Sequence, residues 1–451
     1  MTCDTNMTQG NPLRLLIVFA LPLMFGNIFQ QLYTVADIAI IGQGVGMDAL
    51  AALGSVDWLN WMMLGIAQGL TQGFSVRIAQ KYGEGDLPEM RRFIGQAALL
   101  SVFFSLLYLV LGQSLLSFLL RLLRVPADLS PMAEIYTRTL LLGAPAVMFY
   151  NYCSSVLRAV GDSRTPLKAM IFASILNIVL DLVAVFLLRW GIAGAGIATN
   201  IAQCFAGGIC AVKIAKNPIL RFGREEWRKN MAILKNLTAI GMPTAAKNVI
   251  ISVGGMIVQA VVNGFGTGFI AGFTATSKLY GLLEIAAISY GYAITTFVGQ
   301  NTGAGKPKRI REGVRTAAKL SVVTSVVIAA VMFLLGRQLT GLFISAEIPA
   351  LAAEARTVAY LYLRIMAAFL PVLYLLYVYL SALQGMGHTV TTLVSGFLEF
   401  FIRMVIAGIV GITGYETGIF SAEVIAWIGA FLYLMFHYHK KLGQMEIYYQ
   451  K

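Results

Sequence analysis

The chain has 451 residues, 58% of them hydrophobic and only 12% charged, with a mean hydropathy of +0.75. A soluble domain carries about a quarter charged residues, so this composition excludes a soluble fold and places the chain in a bilayer. The net charge of +13 would suit a nucleic acid, but most Lys and Arg sit between apolar runs. That placement is a topology signal, with membrane lipids as a secondary partner and no nucleic acid expected.

Twelve apolar runs of about 20 residues or more follow one another, each long enough to cross a hydrocarbon core. They lie near 13–41, 47–80, 93–121, 132–159, 166–190, 192–216, 233–262, 268–300, 311–343, 352–385, 389–411 and 416–440. The first exceeds a signal-peptide core, so no cleavable leader is expected. It carries Pro22, which loosens a helix in mid-span and reads as a hinge or a packing kink. Asn27, Gln30, Gln31, Thr34 and Asp37 then recur at three- and four-residue steps, a polar stripe on one face that must look inward. In the second run Asp57, with Asn60 nearby, is either pocket lining or a helix contact, and Gly65, Gly69 and Gly73 form a close-packing face.

The fifth run pairs Asn177 with Asp181 at i, i+4, with Ser174 a turn below, and the sixth adds Thr199, Asn200 and Gln203. At about 1.5 Å of rise per residue, Asp37, Asp181 and Thr199 all fall in the outer half of the first lobe. Two carboxylates together in a dehydrated pocket cannot both stay charged cheaply, which marks a proton or sodium site. The bland alternative is that these polar groups only cross-link helices.

The second half differs. Lys247, Lys278, Glu284, Glu399 and Arg403 carry both signs, and pairing is the cheap solution for buried charge, so a structural network is expected there, with a second ion site as its rival. Of the cysteines, Cys3, Cys153, Cys204 and Cys210, none has metal spacing, and no metal site is expected. Gly303-Ala304-Gly305-Lys306-Pro307 resembles a phosphate loop only in outline, since Gln300 and Pro307 occupy positions that need Gly and Ser or Thr. No nucleotide engine is encoded, so any movement of solutes across the bilayer would have to run on an ion gradient, with no other cofactor expected.

The halves repeat each other. Gln80-Lys81-Tyr82-Gly83-Glu84-Gly85-Asp86 with Arg91 returns as Gln300-Asn301-Thr302-Gly303-Ala304-Gly305-Lys306 with Arg311. Leu21-Pro22 mirrors Met242-Pro243, and Leu157-Arg158-Ala159-Val160-Gly161-Asp162-Ser163 mirrors Leu383-Gln384-Gly385-Met386-Gly387-His388-Thr389. The expected fold is an all-α polytopic membrane protein, twelve transmembrane helices in two six-helix lobes related by a pseudo-two-fold axis along the membrane normal. The lobes are 1–216 and 233–451, joined by a basic cytoplasmic linker at 217–232 that includes Arg221, Arg224 and Arg228. The positive-inside rule puts both termini in the cytoplasm.

This pattern resembles the multidrug and toxic compound extrusion (MATE) family of twelve-helix secondary antiporters over essentially the whole chain. The paired loops at 80–91 and 300–311, Pro22 with Asp37, and Asn177 with Asp181 carry the likeness. The resemblance implies the branch with a cation site in the amino-terminal lobe, with Asp37, Asn177, Asp181 and Thr199 around the ion and Gln30 and Tyr33 nearby. It further implies a monomeric, multi-pass protein of the cell membrane that exports amphipathic, cationic small organic molecules in exchange for H+ or Na+. The chain has no acid on its seventh helix and none between Tyr360 and Gln384 on its tenth, positions where other family members place them. The competing readings are a lipid-linked precursor flippase of the same superfamily, which needs a basic cavity, and a membrane-embedded enzyme, for which no nucleophile–base set or metal motif is present.

Overall fold

The computed structural model describes residues 6–450 except 124, 224, 342 and 345–348, so Cys3 and Arg224 lie outside the described residues. Those residues form helices and no strand. In order they are α1 (Pro12–Gly44), α2 (Met47–Ser55), α3 (Asp57–Glu84), α4 (Leu87–Leu122), α5 (Ser130–Leu142), α6 (Ala144–Ala159), α7 (Arg164–Leu182), α8 (Gly191–Lys216), α9 (Met231–Val262), α10 (Thr267–Gly303), α11 (Pro307–Gly341), α12 (Pro349–Gly385), α13 (Thr389–Thr413) and α14 (Phe420–Gln450). Ten helical spans are long and apolar enough to cross a membrane, and two bent pairs complete twelve.

The bent pairs are the second and fourth expected spans. α2 meets α3 at 48° and α5 meets α6 at 46°. At the second bend Pro145 stands in the first turn of α6, where its missing N–H removes a bond that would have continued α5. Large apolar side chains cover the outside, among them Leu334 at 76% and Ile412 at 89% exposure. Such a surface is an aggregation hazard in water and the natural face toward lipid.

The repeated motifs are helix terminators. Gly85 and Gly305 sit at φ 80° and 64°, and Gly161 and Gly387 at φ 90° and 85°. These are left-handed conformations that glycine adopts without a steric cost, so each motif ends one helix and starts the next. Asp86 then caps α4 by accepting the Glu89 N–H at 3.1 Å, and Asp162 accepts the N–H groups of Arg164 and Thr165 at 3.0 Å before α7.

Two compact units emerge, with boundaries unlike the lobes expected from sequence. The first holds Leu21–Ala245 and the second holds Thr8–Ala20 with the chain from Ala246 onward. Each boundary falls inside a helix, next to Pro22 in α1 and next to Pro243 in α9, and not at 217–232. That stretch is fastened to the first unit: Arg91 Nε donates to the Ile219 carbonyl at 3.1 Å, and Gln96 Nε2 donates to the carbonyls of Glu226 and Arg228 at 2.9 Å.

In the first unit α3 packs on the early part of α9 backbone to backbone. A Cβ on Gly69 would stand 2.5 Å from Ala245 Cα, and one on Gly73 2.5 Å from Gly241 Cα. Arg77 extends the seam, donating from Nε to Asn236 Oδ1 at 2.7 Å. In the second unit an aromatic stack runs Phe269, Phe420, Tyr362, Phe273 with centroids 5.5, 4.7 and 4.9 Å apart, binding α10, α12 and α14.

The α3–α9 seam leaves no room for a side chain. Gly73→Ala is expected to lower stability by about 1–3 kcal/mol, the usual range for overpacking, read as a fall in the thermal midpoint in detergent. An unchanged midpoint would show that the seam has slack.

Candidate functional site

The first unit gathers polar groups from α1, α5, α7 and α8. Asp181 and Asn177 are buried on one face of α7, and Asn177 Nδ2 lies 3.5 Å from Thr199 Oγ1 of α8. Thr199 gives its own hydroxyl proton back to the Ala195 carbonyl at 3.1 Å, so its oxygen faces Asn177 as an acceptor. The Tyr33 hydroxyl on α1 meets the amides of Gln30 and Gln203. Tyr33, Asn177, Thr199 and Gln203 line a small crevice closed on its apolar side by Met170 and Ala202.

Beside it the carboxyls of Asp37 and Asp181 come within hydrogen-bonding reach of each other. Among the described residues, no basic side chain contributes to the surroundings of either one. Two ionised carboxylates are acceptors only, so their contact closes only through a proton or a cation.

The unpartnered atoms within this site are all oxygens. Asp37 Oδ1, both Asp181 oxygens, Asn177 Oδ1 and Gln203 Oε1 are buried and accept no hydrogen bond among the described residues. A buried polar atom left unsatisfied costs about 1–3 kcal/mol, and more when charged. Five buried oxygens without a donor are thus carried on α1, α7 and α8. Among the described residues no group of three or more His, Cys, Asp or Glu side chains is placed to hold a metal ion.

Not every residue of the sequence reading joins this cluster. Thr34 is exposed, and its hydroxyl bonds the Gln30 carbonyl on its own helix at 3.0 Å. Asn200 turns to α5, donating to the Thr139 carbonyl at 2.7 Å and filling the notch left by Gly143, so it seats the α5–α6 bend. Asp57 opens α3 and comes within electrostatic reach of Tyr136 on α5, as do Asp37 and Asp181. Tyr136 lies in the electrostatic neighbourhood of these acids and escaped the sequence reading, because a tyrosine in an apolar run looks like membrane core.

The second unit solves buried charge by pairing. Arg403 on α13 is the hub: Nη2 lies 2.7 Å from Glu423 Oε2 on α14 and 3.5 Å from Glu399 Oε2. Lys247 on α9 is buried near Glu399 and Glu284. Reciprocal notches seat the cations. Lys247 lies over Gly396 of α13, and Arg403 over Gly254 of α9. Glu284 is held by the hydroxyls of Tyr280 and Tyr377, the latter at 3.4 Å, and makes no ion pair among the described residues. Lys278 is exposed. Glu423 was missed, although an acid inside the last apolar run carries the same signal as Asp181.

With this geometry in view, the MatE family profile matches residues 22–183 and 243–409. A probable multidrug resistance protein, YpnP of Bacillus subtilis strain 168, is 30% identical over 95% of this chain and 96% of its own. A probable multidrug resistance protein, NorM of Thermotoga maritima, is 24% identical over 95% of this chain and 90% of its own. A solved MOP-superfamily transporter from Pyrococcus furiosus superimposes with a TM-score of 0.91, 22% identity and 98% of both chains covered, which shows the fold.

The two-signed network sets an order of stability effects. Arg403→Met strands Glu399 and Glu423 and is expected to cost about 3–5 kcal/mol, as for a broken buried pair. Glu284→Gln keeps an oxygen for both tyrosine hydroxyls and should move the thermal midpoint far less. Equal losses from the two variants would mean that Glu284 is itself part of the ion-pair network.

Proposed function

The chain belongs to the MatE family of membrane transporters, and from that premise we propose that it exports amphipathic, cationic small molecules in exchange for H+ or Na+. The observation that carries this reading is the set of buried acceptor oxygens on Asp37, Asn177, Asp181 and Gln203. A cation at that point supplies the missing donor or ligand charge, and its departure leaves two carboxylates facing each other without one. The occupied and vacant sites therefore favour different helix arrangements, and an ion gradient converts that difference into directed movement. One positive charge moving inward through the membrane gains about 2.3 kcal/mol per 100 mV.

Several further features support the details. The names of the relatives in Bacillus and Thermotoga are those of multidrug resistance proteins. The amide and hydroxyl lining of the first-unit crevice, with the Asp37 and Asp181 carboxyls beside it, suits cations; a flippase for lipid-linked phosphates would need a basic one. The family is one of transporters, which leaves a membrane-embedded enzyme without support. The basic loops favour the cell membrane with both termini in the cytoplasm.

Pro22 is the proposed hinge. α1 is continuous from Pro12 to Gly44, and the boundary between the compact units crosses it next to this proline, whose ring removes one backbone hydrogen bond. Asp37 stands about 22 Å along the same helix.

Two outcomes test these roles in vesicles with an imposed H+ or Na+ gradient. Asp181→Asn keeps the shape of the side chain and is expected to abolish gradient-driven dye efflux while the protein remains folded; retained efflux would remove Asp181 from coupling. Pro22→Ala should bind the dye normally yet move it slowly, and a normal flux would reduce Pro22 to a packing kink.

A further inference from the structure

The carboxylate pair depends on how closely α1 and α7 approach, and that approach is set at two notches. A Cβ on Gly26 would meet Leu167 Cα at 3.8 Å, whereas one on Gly44 would overlap Val185 Cγ1 and stand 3.1 Å from the Phe186 ring. The two contacts have the same sequence separation, so the helices run parallel in constant register from one notch to the other. Asp37 lies between the notches, and the Gly44 notch is the tight one.

The segment that fills this notch has unusual backbone. α7 does not simply end after Asp181 but continues as a π-helical turn, Val183–Leu187, in which the Leu188 N–H reaches the Val183 carbonyl at 2.8 Å. Arg189 follows at φ 55°, a left-handed conformation costly for a side-chain-bearing residue, and the Trp190 N–H turns back to the Ala184 carbonyl at 2.9 Å. Ala184 and Val185 are buried, while Leu187 is 75% exposed. The wider turn therefore points Val185 inward against α1. Such turns interrupt helices where a side chain must be re-aimed.

We propose that Gly44 is a positioning residue for ion coupling: its missing side chain lets the end of α1 close onto the π turn at Val185, and that closure sets the approach of Asp37 to Asp181. Gly44 is two helical turns from Asp37, about 10 Å along the axis, and Val185 is one turn from Asp181. A helix is stiff over such lengths, so a wedge at the notch displaces the carboxyl. Contact through a shared proton or small cation tolerates little displacement. The far side of α1 cannot absorb it freely, because Ile41 is packed with Ala49, Ile192 and Ala195 in a buried cluster. The inference rests on the reading of Asp37 and Asp181 as the coupling pair.

The test compares four proteins in vesicles: the parent chain, Gly44→Ala, Gly44→Ala with Val185→Ala, and Asp37→Asn. Dye efflux is followed against H+ and Na+ concentration, and dye affinity is measured separately. Gly44→Ala is expected to raise the half-maximal concentration of the driving ion by about tenfold, the scale seen when support behind a liganding side chain is lost, with dye affinity unchanged. Adding Val185→Ala removes the overlapping methyl, leaving only the Phe186 ring edge at 3.1 Å, and should restore most of the parent value. No shift, or a shift that Val185→Ala leaves in place, overturns the positioning role. If Asp37→Asn itself retains normal ion dependence, the coupling reading fails and takes this inference with it. Should Gly44→Ala not fold, Val185→Leu crowds the same notch from α7 and is read by the same shift.

Discussion

Two carboxylates brought together inside a membrane, with no donor between them, form the constraint around which the first unit is organised. Asp37 and Asp181 are carried on parallel helices, and the nearby oxygens of Asn177 and Gln203 are likewise left without partners. In hydrocarbon, nothing outside the protein can make good that deficit. A structure built only for stability would place an arginine or lysine there, as the second unit does around Arg403. Leaving the oxygens bare costs stability. In the proposed function the coupling ion offsets that cost, which links folding energy to the ion supply.

The second unit gives the contrasting solution from similar helices. Its acids Glu399 and Glu423 converge on one guanidinium, and its cations lie in glycine notches on opposing helices. The aromatic stack of Phe269, Phe420, Tyr362 and Phe273 stiffens the same helices. Internal duplication has therefore preserved architecture and let chemistry diverge. The paired glycines at 85 and 305 and at 161 and 387 keep the same left-handed conformation because helix termination demands it. Asp162 caps α7, whereas His388 at the equivalent place makes no side-chain cap, so even the capping chemistry has drifted.

Backbone irregularity is concentrated where the carboxylate pair is held. The π turn and the left-handed Arg189 lie immediately beyond Asp181, and the bend between α5 and α6 is seated by Asn200 next to the site residue Thr199. Ordinary α-helix fixes the direction of each side chain by its period alone. Aiming Val185 at α1 required a departure from that period. Strain of this kind persists where the surrounding packing determines it from several sides, here α1 and α8.

The spans, the duplication and the membrane setting were legible from the amino-acid order, because hydropathy over about 20 residues and recurrent turn glycines are local properties. Asp37, Asn177 and Asp181 stood out for the same reason: a charge inside an apolar run is costly wherever the helix ends up. Helical periodicity could not separate Thr34, which is exposed, from Asp37 on the same stripe, or Asn200, which braces α5, from Thr199, since a stripe has edges that only neighbouring helices define. It gave no sign that the compact units would part inside α1 and α9, and none that Tyr136 would lie near the acids. Whether Asp37 meets Asp181 depends on the approach of two helices more than a hundred residues apart in the chain. That distance is set by what fits between them, at Gly44 and Val185 above all, and packing between distant segments is decided only when the chain has folded.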